Sequence, residues 1–107
     1  MELKRVVVTG LGALTPIGNN ISEYWDGLKH GRSGAAPITY FDTKLFKTKF
    51  ACEIKNFQAN DYFDRKEVRR LDRFAQYALV ASDEAIVDSG VDLSVVDKYR
   101  IGVIWGA

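Results

Sequence analysis

Two apolar runs without alternation constrain this chain most: Leu3–Val8, where Val6, Val7 and Val8 stand consecutively, and Ile101–Trp105. A strand with one wet face alternates apolar and polar residues. An unbroken run instead predicts a strand buried on both faces, as in a parallel sheet covered by helices. The expected fold class is therefore α/β. Between the runs, two helices are legible. The first opens at Asn20, with Glu23 completing a capping box, carries Ile21, Tyr24, Trp25 and Leu28 on one face, and stops at Gly31. The second is expected as one long helix from Asp64 to Gly90. It starts on the Asp64/Glu67 signal and keeps the 3.6-residue period through Leu71, Phe74, Ala75, Ala78, Leu79, Ala85 and Ile86. Residues 34–63 are irregular, with Pro37 early and Phe41, Phe46, Phe50, Phe57 and Phe63 scattered. Such a segment is expected to pack over neighbouring apolar structure, with a short strand at Phe50–Ile54. One long helix and one short helix cannot cover both faces of a sheet. The inventory thus predicts one incomplete domain over residues 1–107, with more sheet and helix to follow.

Composition removes several function classes. A chain of 107 residues with 47% apolar and 27% charged residues fits one ordinary globular domain. The formal charge of +1 argues against wholesale nucleic-acid binding. No apolar run approaches the ~18 residues that span a bilayer. Lys4-Arg5 before the valines mimics a signal peptide, but the Gly, Thr and Pro that follow would make a poor helical core for one. A single cysteine excludes an internal disulfide framework and suits a reducing cytoplasm. In that compartment the glycosylation triplet Asn20-Ile21-Ser22 is idle.

Three motifs that might carry chemistry fail on inspection. Thr9-Gly10-Leu11-Gly12 follows a strand signal, as a dinucleotide fingerprint does, but Thr15 occupies the place of its third glycine and Pro16 follows. A tight turn with close backbone packing explains these glycines better. No phosphate-binding G-x-x-x-x-G-K-[ST] loop occurs. Cys52 follows Phe50-Ala51 with no cationic neighbour in sequence, so a buried structural cysteine is expected rather than a nucleophile. The lone His30 is expected to cap a helix end, and no Cys/His cluster predicts a metal site.

The charges are more informative. Arg65, Lys66, Arg69, Arg70 and Arg73 crowd the start of the second helix, among only Asp64, Glu67 and Asp72. Cations there oppose the helix dipole at about 0.3–1 kcal/mol each. The cluster fits a solvated face laced by pairs such as Glu67–Arg70 or Arg69–Asp72, or else a docking patch for an acidic partner.

The order of motifs resembles a known family. Val6-Val7-Val8-Thr9-Gly10-Leu11-Gly12, Leu14-Thr15-Pro16-Ile17-Gly18-Asn19, Gly31-Arg32-Ser33-Gly34, Phe41-Asp42-Thr43 and Thr48-Lys49-Phe50-Ala51 are similar to the start of β-ketoacyl-acyl-carrier-protein synthases. Arg65-Lys66-Glu67, the stretch Leu71 to Ala78 and Arg100-Ile101-Gly102 continue the match, in the manner of type II enzymes. The resemblance implies the N-terminal part of a thiolase-like α/β/α/β/α layered fold, acting as a cytoplasmic homodimer without cofactor or metal. It implies a decarboxylative Claisen condensation of malonyl-carrier protein with an enzyme-bound acyl group. The family's cysteine, two histidines and lysine are expected downstream of Ala107, so this chain alone is expected to be inactive. Lys66, Arg69 and Arg70 match positions that contact the acidic acyl-carrier protein. Two alternatives remain: a chain-length-factor relative lacking the nucleophile, and a free-standing carrier-binding module.

Overall fold

A computed structural model describes residues 1–106. Its elements are α1 (Ile21–Lys29), the two-residue strands β1 (Ala36–Pro37) and β2 (Phe50–Ala51), then α2 (Arg65–Arg70) and α3 (Arg73–Ser89). Short 3₁₀ turns stand at Ala59–Asp61 and Lys98–Arg100.

Local sequence chemistry sets both ends of α1. The Asn20 side chain accepts from the Glu23 amide at 2.9 Å, and Glu23 reaches back to the Asn19 amide at 2.8 Å. At the other end Gly31 takes φ +62°, Arg32 N donates to Gly27 O at 2.9 Å and Gly31 N to Leu28 O at 3.2 Å. These two bonds form a Schellman stop, which satisfies carbonyls a helix end leaves bare. The face α1 buries differs from the expected one. Gly27 lies against Ile17, while Trp25 and Leu28 remain exposed.

The long helix expected from Asp64 to Gly90 is two helices. Leu71 leaves α2 in an extended conformation (φ −101°, ψ 126°), and Asp72, extended as well, becomes the N-cap of α3. α3 then runs unbroken to Gly90, whose φ of +65° ends it as expected. The irregular segment makes a small antiparallel ribbon, with Ala36 opposite Ala51 and Pro37 opposite Phe50. Of the predicted strand Phe50–Ile54, only Phe50–Ala51 pairs. Beyond it, Thr39 donates from its amide (3.0 Å) and hydroxyl (2.8 Å) to Glu53. Desolvation works against the Glu53 carboxylate, but these donated bonds outweigh it and hold its pKa below the usual glutamate value. Phe57 does cover apolar structure, stacking on Tyr62 at 5.5 Å and meeting Tyr77 of α3 edge-on at 5.1 Å. Phe41, Phe46 and Phe50 stay exposed.

The two expected central strands form no ladder among the described residues. Val6 is 89% exposed and Ile104 100%. A strand's amides and carbonyls need a neighbour to pair with, and neither run is given one. The frame is accordingly open. It exposes 9216 Å², where a closed monomer of 12.0 kDa would expose about 6,000 Å². Its radius of gyration is 17.4 Å against ~13 Å for a compact chain of this length.

What order exists is centred on α3. Gly10 and Gly12 lie on its backbone so closely that an added Cβ would collide with Ala85 O and Ala81 O. Asp88 accepts from Leu11 N at 2.9 Å, and Glu84 accepts from Ala13 N (3.0 Å) and Ile21 N (2.8 Å). The last bond satisfies one of the free amides that begin α1. Close backbone packing is therefore the use of these glycines, as the sequence suggests.

Candidate functional site

The sequence-predicted residues Lys66, Arg69 and Arg70 all lie on α2, exposed and at i, i+3 and i+4, so they share a face. That helix is six residues long, far below the length at which a helix holds itself. Two side chains hold it instead. At its start, Asp64 Oδ1 accepts from the amides of Lys66 and Glu67, both at 2.8 Å. At its end, the Gln76 carboxamide donates from Nε2 to Leu71 O at 3.0 Å and Val68 O at 3.3 Å.

The cations of α2 are not spent on neighbours. Among the described residues, side-chain ion pairs form at Asp26 with His30 and Arg32, and between Lys44 and Asp42. Neither Glu67–Arg70 nor Arg69–Asp72 forms. The break at Leu71 also removes the expected conflict with the helix dipole for Arg69 and Arg70, while Arg65 and Lys66 still stand in the first turn of α2 and Arg73 opens α3. Arg69 and Arg70 occupy the last turn of α2, where cations are favoured. It also disconnects their phase from that of Phe74 and Ala78, which lie on α3.

Arg73 stands apart from this group. Its guanidinium lies over the Tyr40 ring at 5.6 Å and reaches the Tyr77 hydroxyl at 3.5 Å. Hydrogen bonding to Tyr77 raises the Arg73 pKa further, and the same hydroxyl is the main reason that Tyr40 titrates above its usual value. Arg73 is thus engaged in packing α3 against the ribbon.

Cys52 corrects the expectation of a buried structural thiol: it is exposed, beside a shallow cleft of about 400 Å³ shared with Ile38, Tyr40 and Tyr77. Among the described residues the ribbon has two strands and nothing covers that end of it. His30 caps α1, with Nδ1 2.9 Å from Asp26 O and 3.3 Å from Asp26 Oδ1. No hydrogen bond joins it to Cys52, and no group of His, Cys, Asp and Glu suited to a metal occurs among the described residues. The described residues therefore offer an exposed cationic face and no nucleophile–base pair. Gln76 and Glu84 are the residues that sequence reasoning missed. Glu84 had a faint signal: with Asp88 it makes an i,i+4 acidic pair beside small Ala81 and Ala85, where a loop can approach. Gln76 had none.

Residues 3–107 match the family described as beta-ketoacyl synthase, N-terminal domain. The chain is 48% identical over 106 residues to 3-oxoacyl-[acyl-carrier-protein] synthase 2 of Synechocystis sp., covering 99% of this chain and 26% of that protein. It is 46% identical to the synthase of the same name from Staphylococcus aureus (strain COL), covering 97% and 25%. Among solved structures, the ishigamide ketosynthase/chain length factor superposes with a TM-score of 0.74 at 39% identity, over 82% of this chain and 22% of that one. The chain thus spans about a quarter of the length of the curated relatives it matches. With the order of motifs along the chain, these matches show that the chain belongs to the beta-ketoacyl synthase family, over its N-terminal domain.

Proposed function

We propose that this chain is the carrier-recognising N-terminal part, within the first thiolase-like half, of a 3-oxoacyl-[acyl-carrier-protein] synthase of fatty-acid synthesis. The complete enzyme has the layered α/β/α/β/α fold and works as a homodimer in the cytoplasm. In its reaction a malonyl group on the carrier loses CO₂, and the resulting carbanion attacks an acyl thioester held on the enzyme. A C–C bond forms, the C–S bond breaks and the enzyme thiolate leaves, so the acyl chain grows by two carbons. The described residues supply none of those reacting groups. Their part is to receive the acidic carrier protein. Local pairs would gain these exposed cations little; α2 presents Lys66, Arg69 and Arg70 together in water, and among the described residues none of them is in an ion pair. That observation carries the docking assignment. Identity of 48% and 46% to two synthases, over nearly the whole of this chain and about a quarter of each of them, favours the synthase over the chain-length factor, which enters through the 39% structural neighbour.

The test is Lys66→Glu, Arg69→Glu and Arg70→Glu combined in a full-length synthase that carries this chain. Carrier affinity is expected to fall roughly tenfold or more at low salt, with a shallower salt dependence than wild type. The melting temperature should hold, since exposed substitutions of this kind usually change stability by about 0.5 kcal/mol or less. Wild-type affinity at low salt in the folded variant would return these charges to a solvated face.

A further inference from the structure

Gln76 is 4% exposed, the one strongly buried polar side chain on α3, yet it has no place in the apolar pattern of that helix. Its amide orientation is fixed by its neighbours. Nε2 faces the carbonyls of Val68 and Leu71, and reversing the group would set an oxygen against both. Oε1 then lies buried with no donor among the described residues, a desolvation cost that the position tolerates. The two carbonyls it holds are not arbitrary ones. Val68 immediately precedes Arg69 and Leu71 immediately follows Arg70, so one carboxamide grips the backbone on both sides of that basic pair. They are also carbonyls from the end of α2, where a helix lacks partners of its own.

We infer that Gln76 is the positioning residue of the docking face: from the first turn of α3 it fixes the angle at which α2 presents Arg69 and Arg70. The inference rests on the carrier-docking assignment made above. It differs from that assignment in what it predicts. Charge draws the carrier in from a distance and sets the association rate; the direction of the cations at contact sets how long the complex lasts. Losing the Gln76 grip leaves every charge in place and lets α2 swing.

The experiment measures association and dissociation rates of the acyl-carrier protein on a full-length synthase carrying this chain. The proteins are wild type, Gln76→Met and the triple glutamate variant, each at two salt concentrations. Gln76→Met keeps the side-chain volume and removes both donors. Its dissociation rate is expected to rise roughly three- to tenfold, with the association rate and its salt dependence as in wild type. The triple variant is expected to lose association rate instead. A wild-type dissociation rate in Gln76→Met, beside a triple variant that associates slowly, removes Gln76 from docking and leaves the basic face in place. Wild-type association in the triple variant removes the basic face and the Gln76 role with it. If melting shows that Gln76→Met does not fold, Gln76→Asn, whose carboxamide falls one methylene short of α2, is held to the same criteria.

Discussion

Glu84 takes two backbone amides on one carboxylate, joining the loop at Ala13 and the first residue of α1 to the middle of α3. Hydrogen bonds to a charged acceptor are stronger than neutral ones, and removing the acceptor leaves both part-buried donors unpaired. Glu84→Ala in a full-length synthase is therefore expected to cost about 2–3 kcal/mol by denaturant midpoint, with Glu84→Gln losing about half as much. Equal midpoints for wild type and Glu84→Ala would show that water replaces the carboxylate freely. At this scale the sequence is legible where a residue acts on its own neighbours. Asn20, His30, Gly31, Asp64 and Gly90 all do what their local chemistry predicts. It is illegible where a polar side chain serves a distant segment, as Gln76 and Glu84 do, because nothing near them in sequence marks the partner. Cys52 belongs with these: its burial depends on what lies above the ribbon, which its own flanking residues do not specify.

Elements were legible in kind and less so in extent. Both caps of α1 hold, but spacing alone does not find its buried face, where Gly27 lies on Ile17. The second helix shows why period is a weaker guide than punctuation. Apolar residues keep a helical rhythm across Leu71–Asp72, yet Asp72 directly before Arg73-Phe74-Ala75 is a start signal of its own. Reading Asp64 as the start of the whole run concealed a corner, and with it the independence of α2. Because α2 is so short, its cap carries much of its order. Asp64→Ala is expected to cost about 1 kcal/mol locally, seen as roughly fivefold faster hydrogen exchange at the Lys66 and Glu67 amides. Asp64→Asn, which also caps, should restore wild-type exchange. Identical exchange in Asp64→Ala would mean that α2 stands without its cap.

At the scale of the molecule, the two valine- and isoleucine-rich runs were legible as apolar and not as strands. Apolar pattern states what a segment wants to bury; only a neighbouring ladder makes it a strand, and the described residues supply none. The chain exposes 9216 Å² against about 6,000 Å², and its exposed apolar side chains include Val6, Val8 and Ile104 of these runs and Phe74, Leu79 and Val87 of α3. A separate groove of about 810 Å³ runs between Phe74, Ile86, Val103 and Trp105. The 107-residue chain by itself is therefore expected to bind the dye ANS, to melt without a sharp transition, and to give no condensation with acyl- and malonyl-carrier protein. A cooperative melt with no dye binding, or turnover above a no-protein control, would contradict that. The seat of the glycine loop on α3 has a further consequence, in the time domain. The bonds that hold it join residues 63, 71 and 77 positions apart. On a ribosome adding ~5–20 residues per second, their acceptors are synthesised roughly 3–15 s after the loop they hold. The loop emerges before the helix that seats it, so for those seconds it and the valine run leading into it are a ready target for chaperones.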